Sequence, residues 1–372
     1  MGNKFCDNSR YLFQYLSANK EKYGISKVVW VTRNPDVYKI MRDSDYTVYM
    51  MKSKDSIYYH FKAGFHVICN MYASAGIYKG DLIGNLSWNA IKIQLWHGVG
   101  IKACSGLTNQ ALNNANLREK RVLFKSKLFQ PGGWKSDGYF LATSPENKRV
   151  AIYDYQYNAE RIIISVYPRL CKCPHLMQDE INELTRIADL KNAGNKIILY
   201  LPTFRNNNEY VEPINIPNFE SFLEDNHYIW IEKRHSADIR KDFCSNNHNI
   251  ISLENDFDIN VLYEYMDLVI SDYSSAISDA TYHGVLTLDY CPDYDEYKGR
   301  DRGFVAPFGK YHLDDYPIVN PNDLLPSIKK RIEDMELYKS DIDRLKKYLF
   351  ADYEPNYEVL MHAILEKTKR KQ

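Results

Sequence analysis

Two histidines follow apolar runs of the kind that form buried β-strands, and both could do acid–base chemistry. His97 comes directly after the run at residues 91–96 and is followed by small residues. His235 comes two residues after the end of the run at 228–233. Histidine is the side chain that titrates closest to neutral pH, so each residue is a candidate for moving a proton in a reaction.

Basic side chains near other strand ends favour phosphate binding. Arg205 follows the apolar run at 196–201, and its guanidinium fork matches a phosphate group. Lys102 follows His97 and could also bind a phosphate. Side chains alternate along a strand, so Lys233 shares the side of His235 and Arg234 faces the other way. A surface loop remains an alternative interpretation of the segments at 201–205 and 231–238, and for the segment at 94–102 the alternative is a histidine that caps the next helix.

The residues at 270–279 join an apolar run to a helical pattern and give the most specific signal. We predict that the helix begins at Ser274 and Ser275. A helix N-terminus offers backbone N–H donors and a positive dipole end, and the hydroxyls add donors, so the segment suits a phosphate without needing a lysine. Ordinary N-capping by serine is compatible with this function.

The elements that must position these residues alternate between strand and helix along the chain. In the first half, strands are predicted at 27–32, 46–51, 66–70 and 91–96. In the second half they are predicted at 196–201, 228–233, 250–253, 268–271 and 285–289, with helices at 219–226, 260–266 and 274–283. This order predicts two doubly wound α/β domains, at 1–175 and 176–372, the second ending in a helical tail. Ligands bind at the carboxyl ends of strands in such sheets, where the polar residues above are found.

Composition excludes several classes of protein. The 372 residues carry 48 Lys and Arg against 48 Asp and Glu, which argues against a globally basic nucleic-acid binder. The seven scattered cysteines imply no disulfide framework and fit a reducing cytosol. The N-terminus does not resemble a secretory signal, and no apolar run reaches transmembrane length. Neither a G-x-G-x-x-G nor a P-loop fingerprint is present, which disfavours dinucleotide redox chemistry and P-loop hydrolysis.

Two further segments have competing interpretations. Cys171, Cys173 and His175 form a C-x-C-x-H cluster, but a zinc site needs about four ligands and no second pair lies at a recognisable distance, so we expect no metal. Residues 117–135 interleave basic and apolar side chains. They are a candidate interfacial segment for an anionic membrane, or else a basic helix packed on its own domain.

Taken together, the motifs resemble those of the CDP-glycerol glycerophosphotransferase family, the teichoic-acid and capsule polyol-phosphate transferases. The matching segments run in family order over most of the chain. They are D-N-x-x-Y at 7–11, W-H-G-x-x-x-K at 96–102, S-V-Y-P-R at 165–169, which looks like the family's G-x-P-R with Ser165 where glycine is usual, P-T-x-R at 202–205, K-x-H-P-x-D at 233–238 with Ser236 in place of proline, D-Y-S-S-x-x-x-D at 272–279, and R-G at 302–303.

The resemblance implies a GT-B-like fold with two Rossmann-like domains facing a central cleft. It implies a CDP-polyol donor, CDP-glycerol first, bound mainly by the C-terminal domain, a glycan or lipid-linked acceptor on the N-terminal side, release of CMP, and no cofactor. The histidines matching His97 and His235 are required for activity in the family. The remaining implied site residues are Arg205, Lys233, Asp272, Ser274, Ser275, Asp279 and Arg302 on the donor side, and Gly98 and Lys102 on the acceptor side.

Two other functions compete with this interpretation. A GT-B glycosyltransferase that uses a nucleotide sugar would share the fold, but such enzymes commonly hold the diphosphate with a Gly-rich loop. A non-catalytic carbohydrate-binding protein would account for the 31 tyrosines but not for the two strand-end histidines and the phosphate site. We expect a cytoplasmic protein with no nucleic-acid partner, and a peripheral position on the inner face of the membrane stays an open alternative.

Overall fold

The computed structural model describes residues 4–69, 90–103, 138–155, 157–203, 211–234, 247–254, 256–300 and 304–369, without the side chains of 298–300. The chain divides into two compact units. The first comprises Met1–His97, Cys104–His175 and Ala351–Gln372, and the second comprises Gly98–Ala103 and Leu176–Phe350. The sequence-based boundary at 175 counted residues 98–103 with the first domain and 351–372 with the second; the structure groups each with the other unit.

The first unit contains a two-stranded and a four-stranded parallel sheet. Its strands are β1 (Trp30–Thr32), β2 (Val48–Met50), β3 (Phe65–Ile68), β4 (Ile91–Gln94), β5 (Tyr139–Ala142) and β6 (Ile162–Ile164). Its described helices are α1 (Asp7–Asn19), α2 (Pro35–Asp43), α3 (Lys54–Lys62), α4 (Pro145–Tyr153) and, from the end of the chain, α11 (Tyr357–Thr368). β1 pairs with β2, and the larger sheet has the order β3-β4-β5-β6.

The last helix packs on the first unit through side chains spread along that unit. The ring of Tyr357 stacks on Tyr15 of α1 with centroids 4.3 Å apart. The Tyr357 hydroxyl also donates to the Lys172 carbonyl at 3.1 Å. Ahead of the helix, the Ala351 amide donates to the Thr143 carbonyl just after β5. These contacts between residues distant in sequence explain why the terminal helix belongs with the first unit.

The second unit is a five-stranded parallel sheet covered by helices. Its strands are β7 (Lys196–Leu201), β8 (Tyr228–Glu232), β9 (Ile250–Ser252), β10 (Leu268–Ser271) and β11 (Leu286–Asp289). Its helices are α5 (Gln178–Asn192), α6 (Phe219–Asp225), α7 (Ala276–Tyr282), α8 (Tyr294–Arg300), α9 (Leu324–Glu333) and α10 (Lys339–Leu349). The predicted helix at 260–266 consists instead of two short 3₁₀ turns, Ile259–Val261 and Tyr263–Tyr265.

The strand order β11-β10-β7-β8-β9 reverses direction between β7 and β10. After the exposed Lys196, the residues of β7 are all buried, which is why the strand is a continuous apolar run from Ile197 to Leu201. Ile197 and Leu199 pack in the core on one face, and Ile198 and Tyr200 pack in the core on the other. The carboxyl ends of β7 and β10 therefore form the switch point at which open α/β sheets bind ligands.

In the part of the chain that the structure describes, no helix is both long and apolar enough to cross a bilayer.

Candidate functional site

Asp272 joins the loops that follow β7 and β10, at the switch point of the second sheet. Its side chain is buried, with 1% of the residue exposed. One carboxylate oxygen accepts from the Thr203 amide at 2.9 Å, and the other accepts from the Thr203 hydroxyl and from the Tyr273 amide. Asp272 was expected among the donor-binding residues. Its described contacts give it the role of holding the Pro202-Thr203 and Tyr273-Ser274 segments together.

The serines of the D-Y-S-S motif lie at the start of α7, which begins at Ala276 rather than at Ser274 as predicted. The Ser274 hydroxyl accepts from the Ala276 amide at 3.3 Å, so Ser274 orders the segment just before the helix, whose N-cap residue is Ser275. Both serines are half-buried. Asp279 lies in the same helix and is 5% exposed. The motif thus places two hydroxyls and a helix N-terminus beside the switch point.

Residues 98–103, the second part of the W-H-G-x-x-x-K motif, pack on this same helix. The Ser278 hydroxyl donates to the Val99 carbonyl at 2.6 Å. A Cβ atom on Gly100 would lie 3.4 Å from the Cβ of Ser275, at van der Waals distance, so Gly100 packs directly beside the start of α7. The residues that follow pair with another segment of the second unit: the Val305 amide donates to the Ile101 carbonyl at 2.9 Å.

Lys102 and Gly98 were expected on the acceptor side, within the first domain. In the structure both belong to the second unit, and Lys102 forms an isolated antiparallel bridge with Phe304. The cause is the packing of residues 98–103 on α7, which sequence spacing does not reveal. Lys102 therefore lies among residues of the unit that carries the expected donor-binding motifs.

His97 ends the first segment of the first unit, Met1–His97, and follows β4 after Leu95 and Trp96. Its Nδ1 atom lies 2.9 Å from the Cys69 carbonyl oxygen. A carbonyl oxygen only accepts, so in the neutral ring Nδ1 carries the proton and Nε2 is the basic nitrogen. This is the tautomer that a base needs if it is to take up a proton at Nε2.

The backbone before His97 has an unusual conformation. Trp96 has φ +60°, in the left-handed region that large side chains rarely occupy, and Gly98 has φ +146°. The Trp96 amide donates to Oε1 of Gln94 at 3.0 Å. Residues held in such conformations persist when the surrounding structure fixes them, and they cluster at functional sites.

Lys233 and Arg234 follow β8, which ends at Glu232, and they differ in burial. Arg234 is buried, and its guanidinium donates to Glu232 at 2.7 Å and to Glu212 at 2.9 Å. Burial raises the pKa of the Glu232 carboxyl, and the neighbouring Arg234 opposes that shift. Lys233 is half-buried, and its amide donates to the Tyr200 carbonyl of β7. Arg234 thus makes structural ion pairs with two carboxylates.

Several predicted residues lie outside the described part of the chain. They are Arg205, His235 and Arg302, together with the basic segment at 117–135. In the C-x-C-x-H cluster, Cys173 contacts the carbonyl of His175, which also accepts from the Arg10 side chain. Among the described residues no group of three or more His, Cys, Asp or Glu side chains is arranged to hold a metal ion.

Sequence reasoning recognised the D-N-x-x-Y and P-R motifs but assigned them no role, and the structure brings them together. The Arg169 guanidinium donates to Asp7 at 2.5 Å, and the Arg169 amide donates to the Asn8 side chain at 3.1 Å. The signal available in the sequence was only that both motifs match segments of the same family. Their pairing across more than 160 residues depends on the tertiary fold.

Comparison with known proteins gives a consistent picture. The family model described as CDP-Glycerol:Poly(glycerophosphate) glycerophosphotransferase matches residues 1–354. The chain is 26% identical over 349 residues to a teichoic acid poly(glycerol phosphate) polymerase of Bacillus spizizenii, covering 89% of this chain and 80% of the relative. It is 22% identical over 343 residues to a teichoic acid glycerol-phosphate transferase of Staphylococcus aureus, covering 88% and 81%.

A solved structure of the wall teichoic acid polymerase TagF superposes with a TM-score of 0.71 at 19% identity, covering 98% of this chain and 86% of that one. At this identity the likeness concerns the fold alone. It confirms the predicted α/β, GT-B-like class.

Proposed function

This chain belongs to the CDP-glycerol:poly(glycerophosphate) glycerophosphotransferase family, and from that premise we propose that it transfers glycerol phosphate from CDP-glycerol to a hydroxyl group of a teichoic-acid-type acceptor. The observation that carries the proposal is the extent of the family match, which includes every motif-bearing residue from Asp7 to Arg302. The names of the relatives, teichoic acid polymerases and transferases, support the same donor and acceptor.

In the proposed reaction, the acceptor hydroxyl oxygen attacks the β-phosphorus of CDP-glycerol. A bond forms between that oxygen and the β-phosphorus, and the bond from the β-phosphorus to the bridging oxygen breaks. The bridging oxygen keeps the electron pair and leaves as part of CMP. The hydroxyl proton moves to Nε2 of His97, and the hydrogen bond from Nδ1 to the Cys69 carbonyl supports this direction of transfer.

Catalysis of such a transfer requires positioning and charge stabilisation more than covalent chemistry. We assign the diphosphate to Ser274, Ser275 and the N-terminus of α7, which lie at the switch point of the second sheet. Lys233, which follows β8, stabilises charge on the phosphoryl oxygens. His235, Arg205 and Arg302 are proposed for the same task on the strength of their motifs. Asp279 stays a donor-side residue in this assignment.

Lys102 is assigned to the donor rather than to the acceptor, because it pairs with Phe304 in the unit that contains the switch point. A lysine presents a compact positive charge to a phosphate oxygen without requiring a fixed geometry. Gly98, at which this segment of the second unit begins, has a φ of +146°, a conformation that suits glycine.

A direct assay separates this function from its competitors. The protein is incubated with CDP-glycerol, CDP-ribitol or UDP-sugars, together with a lipid-linked teichoic-acid precursor or a capsule oligosaccharide, and released CMP and UDP are measured. Acceptor-dependent CMP release from CDP-glycerol is expected. If CDP-ribitol were the only donor to release CMP, the transferred polyol would be ribitol instead of glycerol. If the protein preferred the capsule oligosaccharide, that glycan would be the acceptor instead of the teichoic-acid precursor. UDP release without CMP would instead identify a glycosyltransferase.

The acceptor side of the proposal includes a peripheral membrane position through residues 117–135, whose basic and apolar composition suits an anionic surface. Co-sedimentation with vesicles containing anionic lipid at low salt tests this part separately. Failure to bind would remove the membrane contact and leave the transfer reaction unaffected.

A further inference from the structure

Asn8 connects two segments of the first unit that are far apart in sequence. It lies in the first turn of α1 and is completely buried. Its side-chain Nδ2 donates to the Trp96 carbonyl oxygen at 2.9 Å. Its Oδ1 accepts from the Arg169 backbone amide at 3.1 Å. Both halves of the carboxamide are therefore used, one as donor and one as acceptor.

The bond to Trp96 acts on His97 because of peptide geometry. The Trp96 carbonyl and the His97 amide belong to one planar peptide unit. A hydrogen bond that fixes the direction of the Trp96 carbonyl also fixes the plane of this peptide unit, and the Cα atom of His97 lies in that plane. On the other side of Trp96, the amide is held by Oε1 of Gln94. Two side chains thus define both peptide planes that flank Trp96.

Trp96 needs such restraint because its φ of +60° is unfavourable for a bulky residue. Without the Asn8 hydrogen bond, the backbone would relax toward a negative φ, and the imidazole of His97 would turn away from the Cys69 carbonyl. That carbonyl accepts the Nδ1 proton and so selects the tautomer with a basic Nε2. Loss of the restraint would therefore disturb both the position and the tautomer of His97.

Asn8 is itself held in place from its other end. Asp7 accepts from the Asn8 amide at 2.6 Å and pairs with the Arg169 guanidinium. The Arg169 side chain is 2% exposed, so this ion pair is screened little by solvent on the arginine side. The first turn of α1 is consequently clamped to the turn at Pro168–Leu170, which orients the Asn8 carboxamide toward Trp96.

We propose that Asn8 is a positioning residue for His97, acting through the Trp96–His97 peptide. This inference rests on the proposed function only for its kinetic consequence. The structural consequence, a change in the placement and tautomer of the His97 ring, does not depend on which reaction the protein performs.

Two substitutions test the hydrogen bond at different levels. Asn8→Asp keeps an oxygen for the Arg169 amide but replaces the donor to Trp96 with a second acceptor. Asn8→Leu has nearly the same shape and removes both bonds. Met41→Ala is the matched control, because Met41 is buried in the core with Phe13 of α1 and makes none of these hydrogen bonds. It lowers stability near α1 without touching the peptide of His97.

The first measurement is kinetic. We expect both Asn8 variants to lower kcat for CMP release about 10- to 100-fold, the size of effect that a displaced catalytic group produces. KM for CDP-glycerol should stay within about threefold, because Asn8 lies in the other unit from the switch point. An equal loss of kcat in Met41→Ala at a matched melting temperature would show that Asn8 acts only through general stability and would overturn the proposal.

The second measurement is nitrogen NMR of ¹⁵N-histidine-labelled protein, with the His97 signals assigned by their absence in His97→Ala. Wild type and Met41→Ala should show the Nδ1-protonated tautomer, and both Asn8 variants should show a tautomer mixture. A wild-type His97 signal in a folded Asn8 variant contradicts the inference. If wild type releases no CMP from CDP-glycerol, the proposed function fails, and the NMR comparison still decides the role of Asn8.

Discussion

The backbone amide of Thr203 donates to the Asp272 carboxylate at 2.9 Å, and this bond joins the two loops at which the strand order of the second sheet reverses. The Thr203 hydroxyl donates to the same carboxylate. The loop after β10 continues into Ser274 and Ser275, so this tie holds Thr203 beside the segment that we propose to bind the diphosphate. Asp272 therefore has a structural role, apart from any contact with substrate.

Replacing Asp272 with asparagine should loosen this tie and weaken donor binding. An amide offers a single acceptor oxygen, so an NH₂ group would face an N–H or O–H donor of Thr203 or Tyr273. We expect the free energy of unfolding to fall by about 1–3 kcal/mol. KM for CDP-glycerol should rise on the order of tenfold, equivalent to ~1.4 kcal/mol. Chemical denaturation and initial-rate kinetics measure the two effects.

The opposite edge of the same strand pair provides a matched control. Asp267 precedes β10 and accepts from the Ile197 amide of β7 at 2.9 Å, at the amino ends of the strands. Asp267→Asn should lower stability by a similar mechanism and leave KM for CDP-glycerol unchanged. If both variants raised KM equally, the effect would be one of general stability, and the special position of Asp272 would be refuted.

The strands of the second unit were the most predictable part of the fold. The runs at β7 and β10 matched the predicted bounds, since a strand buried on both faces is apolar throughout and has clear ends. The predicted helix at 260–266 was wrong because helical spacing of apolar residues is equally satisfied by two 3₁₀ turns whose side chains point into one core. β5 and β6, of four and three residues, were not predicted.

The sequence was sufficient to predict individual candidate site residues, but it did not predict which of them lie together in the structure. His97, Lys102 and Asp272 all stand near strand ends, and strand ends are readable from apolar runs. Lys102 packs with Phe304 rather than with the first unit. This placement depends on a hydrogen bond from Ser278 to Val99, which is 179 residues away in sequence. Such long-range contacts leave no periodic pattern in the sequence.

Substitution of Lys102 tests whether this residue acts with the donor-binding residues of the second unit. As a donor-side residue it should bind a phosphate of CDP-glycerol, so Lys102→Met should raise the donor KM about 10- to 100-fold, the equivalent of about 1.5–3 kcal/mol for a charged hydrogen bond. The acceptor KM should change little. Lys310→Met, at an exposed position of the same unit, removes the same charge as a control. A rise confined to the acceptor KM would restore the assignment made from the sequence.

The stability of the first unit should depend on pH through His66. Burial, with the nearby His60 and Lys92, lowers the pKa of His66 from 6.5 to about 4. Between these values the unfolded chain takes up a proton that the folded chain does not, so the free energy of unfolding decreases as the pH falls through this window. The full difference is about 3 kcal/mol.

His66→Gln removes this titration and keeps a donor for the His60 carbonyl, to which Nε2 of His66 now donates. Melting temperatures measured from pH 7 to pH 4.5 should fall less steeply for His66→Gln than for wild type. His362→Gln, an exposed histidine of α11, should follow the wild-type curve. Parallel curves for His66→Gln and wild type would show that His66 does not titrate in this way.

His97→Ala separates donor binding from transfer. The substitution removes the group that we assign as the base, while the proposed diphosphate site at Ser274 and Ser275 lies in the other unit. We therefore expect calorimetry to find CDP-glycerol affinity within about threefold of wild type. Acceptor-dependent CMP release should fall by about 10²- to 10⁴-fold, the usual contribution of a positioned base.

His175→Ala changes an exposed histidine of the same unit and keeps the backbone carbonyl that accepts from Arg10, so it should retain wild-type turnover. Near-normal turnover by His97→Ala would assign the proton to another group, since a reaction that still proceeds cannot depend on the missing imidazole.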